Sequence, residues 1–226
     1  MSKFVKYFLG ASVGILTASA LLGFRPLRRR KMNPAIIKGK NVLFVGDSHT
    51  ALYGSGWQSI IAKKYGFYEK NTAVGGKRTD WMIGQLKLAL MDGTNYYACF
   101  IYGGANDAYS GVTNQKAVAN IQEMVNMCIA KNVIPIVIIG YNTMKVSYGN
   151  TALKPTSYVP TQQGMWDLAK KRYEQQLLMQ SSIKDAFVIP MWNDVSHATA
   201  PNDGLHIYGQ NQKNFASYIE SQLFTK

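Results

Sequence analysis

Ser48 stands in Gly46-Asp47-Ser48-His49, directly after the apolar run NVLFVG and ahead of residues with helical spacing. A hydroxyl at a strand end beside a helix start meets backbone N–H groups and a dipole that favour negative charge on a substrate carbonyl oxygen. Alone, the tripeptide Gly46-Asp47-Ser48 is equally a turn in which Asp47 or Ser48 caps a helix. Near the other end of the chain, Asp203 and His206 lie three apart in Asn202-Asp203-Gly204-Leu205-His206. Within one turn that spacing lets a carboxylate orient an imidazole, which can take a serine proton and return it to a leaving alcohol. Taken singly, the pair also reads as a cap of the last helix with an exposed histidine.

Two further stretches supply neutral donors. Gly103-Gly104-Ala105-Asn106-Asp107 leaves an apolar run, so Asn106 projects at the same edge as Ser48, and its amide can bond an oxyanion without a protonation requirement. In Asn71-Thr72-Ala73-Val74-Gly75-Gly76, a glycine can bring its backbone N–H close to a substrate. Asp107 is expected to cap or brace its loop, and His49 is as consistent with a helix-start residue as with a catalytic one. His197 reads as a solvated side chain. Three histidines without HExxH spacing or clustered cysteines give a metal site little support, and Gly75-Gly76-Lys77-Arg78 lacks the spacing of a phosphate loop. Trp57, Trp81, Trp166 and Trp192 are expected in the core.

The elements that must position these residues alternate. Strand-like runs occupy 41–46, 97–103, 133–140 and 186–190, and the alternation requires a further, weaker strand at 67–73. Segments of helical length fall at roughly 50–65, 79–91, 113–131, 161–181 and 207–224. Strands apolar on both faces and separated by helices predict a parallel sheet covered on each side, a three-layer α/β/α domain. Residues 141–160 carry three tyrosines and two prolines without a period, and read as a substrate wall or a surface excursion.

The four stretches resemble, in order and approximate separation, the blocks that name the SGNH (GDSL-like) hydrolases, over about 41–224. The resemblance implies a flavodoxin-like fold of about five parallel strands and a serine esterase without a cofactor. It makes Ser48 the nucleophile, His206 the base and Asp203 the orienting acid. It assigns the oxyanion hole to the Ser48 backbone N–H, Gly76 and Asn106, with Gly75 as the alternate register of the glycine. His49 departs from the apolar residue that many members have there, although some members acting on sugar acetyl groups look like GDSH. The expected substrate is an O-acetylated glycan or cell-envelope polymer. The alternatives are a lysophospholipase-type lipid esterase, an acyltransferase, and an anchored binding or virion-associated structural protein that keeps the fold.

The remaining features concern location. Residues 7–24 run 18 positions without a charge, about 27 Å as a helix, with basic residues on both sides. Residues 1–31 are therefore expected to be a single-pass membrane anchor, followed by a linker at 32–40 and the hydrolase domain at 41–226. A signal peptide cleaved after Ala18-Ser19-Ala20 is the competing reading. The heavier basic flank lies C-terminal to the run, and the positive-inside rule then puts the domain on the cytoplasmic side, with export or a virion as alternatives. Of the net charge of +13, residues 1–40 hold nine basic groups and no acid, whereas 41–226 hold 16 basic against 12 acidic groups. A nucleic-acid surface is not expected. Cys99 and Cys128 read as buried thiols.

Overall fold

A computed structural model describes residues 31–51, 55–148, 161–195 and 206–225. The apolar segment 7–24, His197 and Asp203 lie outside the described residues. Among those described, no helix is long and apolar enough to cross a membrane.

Five strands, β1 (Asn41–Gly46), β2 (Tyr68–Asn71), β3 (Tyr96–Tyr102), β4 (Ile134–Ile138) and β5 (Phe187–Ile189), form one sheet in the order β2-β1-β3-β4-β5. Every pairing is parallel. This is the flavodoxin-like order, in which ligands bind beyond the carboxyl ends of the strands. Alternate residues of β1 enter opposite cores, because successive side chains of a strand point to opposite faces. Val42 and Phe44 pack with Trp57, Phe100, Phe215 and Ile219, and Leu43 and Val45 pack with Met82, Leu86, Ile121 and Val125. The first core is closed by α1 (Trp57–Tyr65) and α7 (Gln210–Leu223); the second by α2 (Thr79–Ala89), α4 (Asn114–Ala130) and α6 (Gln162–Ser182). Two short helices, α3 (Ala105–Tyr109) and α5 (Thr143–Tyr148), follow β3 and β4 directly.

Several expectations change in detail. The helix expected from residue 50 begins at Trp57, after Gly56 in extended conformation, so Ser48 lies in a separate turn and not at the start of α1. A single backbone acceptor closes that turn, since the Asp47 carbonyl takes bonds from the Thr50 and Ala51 N–H groups, both at 3.0 Å. Residues 143–148, expected as irregular chain, are helical: the Asn142 side-chain oxygen accepts from the Met144 and Lys145 N–H groups and starts the turn. Residues 32–40, expected as a linker, pack against the domain. The Met32 N–H donates to the Leu223 carbonyl at 2.7 Å, the Thr225 N–H donates to the Met32 carbonyl at 2.9 Å, and Ile37 is buried.

Candidate active site

Gly46 ends β1, and a Cβ there would stand 2.6 Å from both the Tyr102 carbonyl and the Thr50 hydroxyl. Only glycine allows the chain to turn this close to β3. The turn is then tied down from three sides. The Asp47 N–H donates to the Tyr102 carbonyl at 3.3 Å, the Asn71 amide donates to the Thr50 carbonyl at 2.8 Å, and the Trp57 indole N–H donates to the His49 carbonyl at 3.0 Å. Ser48 is left half-buried at the rim.

His206 meets it there. Its Nε2 lies 2.8 Å from Ser48 Oγ, the separation of a hydrogen bond in which the base can take the hydroxyl proton. The residues around His206 explain why it arrives there. Gln212 of α7 donates through Nε2 to the Ile207 carbonyl at 2.6 Å and accepts the Trp57 N–H at 2.9 Å, which links the start of α1 to the segment carrying the imidazole. Ile207 itself is buried. Asp203, its expected partner, is outside the described residues.

The glycine pair also comes to the serine. A Cβ on Gly75 would sit 3.6 Å from Ser48 Cβ, whereas one on Gly76 would meet nothing within 4 Å. The Cβ position of Gly75 therefore faces the nucleophile. Gly76 has φ +76°, in the region that favours glycine. Asn106, the second residue of α3, donates from Nδ2 to the Lys77 carbonyl at 3.0 Å, which joins it to the loop just after that glycine pair. An amide nitrogen carries two hydrogens, so this bond uses one.

Beneath these groups lies a buried polar frame. Asp107 accepts the Thr79 N–H at 2.9 Å and the Thr79 hydroxyl at 2.6 Å, and the Asn120 amide donates to that hydroxyl at 2.8 Å. Asp107 is thus the brace expected of it, fixing α3 to the start of α2. Arg172 of α6, buried, donates to the Gly103 carbonyl at 3.0 Å and bonds Gln175 as well. The sequence drew no attention to Arg172, because a basic residue on a long polar helix ordinarily faces solvent. His49 is buried and held on both ring nitrogens, by Asp47 and Tyr141. The signal for it was the two-residue spacing of Asp47 and His49 in a turn.

A cavity of about 30 Å³ opens beside this cluster, with walls that include His49, Tyr102, Ala105, Tyr109, Tyr141 and Met165. Trp57 and Trp192 are buried in the first core, and both cysteines are buried free thiols. Among the described residues no group of three His, Cys, Asp or Glu is arranged to hold a metal ion.

The fold and the cluster at its carboxyl edge define a flavodoxin-like α/β enzyme domain. Residues 44–207 match the GDSL-like Lipase/Acylhydrolase family, and the chain belongs to that family of ester-bond hydrolases. Solved structures with the same fold include the psychrotrophic esterase EstA from a Pseudoalteromonas species, 19% identical over 81% of this chain and 96% of its own, with a TM-score of 0.58. The acetylxylan esterase Axe2 from Geobacillus stearothermophilus is 12% identical over 85% of this chain and 97% of its own, with a TM-score of 0.58. A GDSL-like lipase from Bacteroides thetaiotaomicron is 13% identical over 80% of this chain and 86% of its own, with a TM-score of 0.56. No curated protein matches the chain significantly.

Proposed function

We propose that the chain hydrolyses a carboxylic ester through an acyl-enzyme on Ser48. The observation that carries this reading is the 2.8 Å separation of His206 Nε2 and Ser48 Oγ. In the resting site the Ser48 hydroxyl donates to His206. As Oγ attacks the ester carbonyl, His206 takes the proton, and the carbonyl oxygen becomes an oxyanion facing the Ser48 N–H, the Gly76 N–H and the second hydrogen of the Asn106 amide. The imidazolium then protonates the leaving alcohol, and a water, deprotonated by the same imidazole, releases the acid. Asp203 is assigned to the other imidazole nitrogen, three residues upstream.

The acid half is small in this reading, and the favoured substrate is an O-acetylated glycan or cell-envelope polymer. The small cavity beside His49, walled by Tyr102, Tyr109, Tyr141 and Met165, is in keeping with a small acid half. Axe2, an acetylxylan esterase of the same fold, is in keeping with it. The second reading, a lysophospholipase-type esterase, is favoured by the 18-residue uncharged run at 7–24, which as a membrane anchor would hold the site near a bilayer. The flanking charges would then place the domain on the cytoplasmic side.

The test is turnover of p-nitrophenyl esters from acetate to decanoate, with and without micelles, by the wild-type chain and Ser48→Ala, together with fluorophosphonate labelling. The expected result is acetate preference, labelling of wild type alone and loss of turnover in the variant. Full turnover by Ser48→Ala would overturn the mechanism. Rates that rise with chain length and micelles would select the lipid reading.

A further inference from the structure

The reaction described above leaves three buried polar groups beside Ser48 without a task. Asp47 and His49 flank the nucleophile in sequence, and Tyr141 follows β4, the next strand but one. The Asp47 carboxylate accepts the His49 backbone N–H at 3.0 Å and lies 2.9 Å from His49 Nδ1. The opposite ring nitrogen, Nε2, lies 3.0 Å from the Tyr141 hydroxyl. One neutral tautomer satisfies both contacts: Nδ1–H donates to Asp47, and Nε2 accepts from the phenol. The imidazole cannot turn about its χ angles without losing one bond or the other.

The face of this fixed ring meets the imidazole that serves as base. The centroids of His49 and His206 are 5.1 Å apart, with the planes inclined at 32°. The charged and titratable groups around His49 come from every neighbouring element: Asp47 on its own turn, Tyr102 on β3, Tyr141 after β4, Arg172 on α6 across the shared cavity, and His206. Burial pushes the Asp47 carboxyl up, but His49 and then Arg172 outweigh it and hold the group below its ordinary value, so it carries a negative charge at neutral pH.

We propose that His49, clamped between Asp47 and Tyr141, is a positioning residue that backs the ring of His206 and keeps its Nε2 on Ser48. The inference rests on the reading of Ser48 and His206 as nucleophile and base. Two effects follow from the geometry. The fixed ring limits the tilt of His206, whose neighbour Ile207 is buried and bonded by Gln212. The anionic Asp47–His49 pair also favours the positive charge that His206 acquires when it takes the serine proton.

Steady-state kinetics of the full chain with p-nitrophenyl acetate across a pH series separate these ideas, using Tyr141→Phe, His49→Phe, His49→Asn and Ser48→Ala. His49→Phe keeps a ring but loses both bonds; kcat should fall about 10- to 100-fold, the usual cost of a small misplacement, with KM within about twofold. Its acid limb should move to lower pH, because a carboxylate deprived of the His49 ring donor no longer holds its charge against burial. His49→Asn, which restores an N–H to Asp47, should bring the limb back towards wild type while kcat stays low. Tyr141→Phe removes one hydroxyl without changing the packing and should lower kcat about three- to tenfold at unchanged KM, which keeps the inference open to refutation if His49→Phe fails to fold. Wild-type kcat and an unmoved acid limb in these variants, with Ser48→Ala inactive, would overturn the role of His49 and leave the nucleophile intact. An active Ser48→Ala would instead overturn the mechanism on which the inference rests.

Discussion

Asn106→Ala isolates the oxyanion role from everything else the site does. The Asn106 amide makes one bond within the fold, to the Lys77 carbonyl at 3.0 Å, and the side chain is half-buried. Losing that bond between partly solvated groups costs about 0.5–1.5 kcal/mol of stability, which for a chain of this size lowers Tm by roughly 1–6 °C. In the proposed reaction the second hydrogen acts only once charge has formed on the substrate. Its loss removes about 2.7–4 kcal/mol of transition-state stabilisation, a fall in kcat of roughly 100- to 1000-fold. KM should stay within about threefold, because the ester carbonyl of the ground state gains little from the donor. Stopped-flow or steady-state hydrolysis of p-nitrophenyl acetate reads kcat and KM, and a thermal melt confirms that the variant is folded at the assay temperature. A folded Asn106→Ala with kcat within about threefold of wild type would refute the assignment, since a bond to Lys77 alone has no route to the transition state beyond small shifts of the loop.

Two other perturbations address the frame around the site. Thr79→Val strips the hydroxyl that joins Asp107 to Asn120, all three being buried; two polar atoms lose their partner, and a cost of about 2–4 kcal/mol should lower Tm by roughly 5–15 °C in calorimetry. A change under 2 °C would show that these bonds add nothing. The Asp47 carboxyl lies below its ordinary value of 3.8 in the folded chain, so the unfolded chain binds a proton more readily. Its stabilising contribution is complete above that pH and is lost as the pH falls through the lower folded value. Urea unfolding between pH 5 and pH 2.5 should therefore show a shallower loss of stability on acidification in Asp47→Asn than in wild type, and equal slopes would refute this.

The sheet was legible because its central strands are buried on both faces. β1, β3 and β4 read as unbroken apolar runs, and the structure keeps them within about a residue or two of their expected ends. β2 was faint for the opposite reason: Tyr68, Glu69, Lys70 and Asn71 lie at an edge and pair only with β1, so nothing required them to be apolar. The start of α1 was misplaced because residues 50–65 have helical spacing, whereas the tie from Asn71 to the Thr50 carbonyl depends on a partner 21 residues away. Distance in sequence likewise hid the setting of His49, whose ring partner Tyr141 is 92 residues away, and of Arg172, whose partner Gly103, just after β3, is 69 residues away. Met32 and Ile37 looked like linker residues because the few apolar positions of 32–40 have no period; Met32 is bonded to the end of α7, and Ile37 is buried in the first core.

The reaction was easier to read than its substrate, and the construction of the site gives the reason. The groups assigned to the reaction sit in turns that crowd their neighbours. Gly46 has no room for a Cβ against the Tyr102 carbonyl, and Gly104, at φ +102°, would set one 2.7 Å from the buried Arg172 guanidinium. Such contacts admit few residue types, so the turns carrying Ser48 and Asn106 leave a short, recognisable pattern. The cavity wall is made differently. Tyr109, Tyr141, Thr143, Met165 and Leu168 come from three helices, α3, α5 and α6, and the segment after β4. A side chain there can change size or polarity without disturbing the sheet, and no spacing rule links residues so far apart. If this cavity takes the acid half of the ester, as proposed, acyl size rests on contacts that only the folded chain brings together, and exchanging the wall at Leu168 or Tyr109 should alter chain-length preference in the p-nitrophenyl ester series before it alters the chemistry at Ser48.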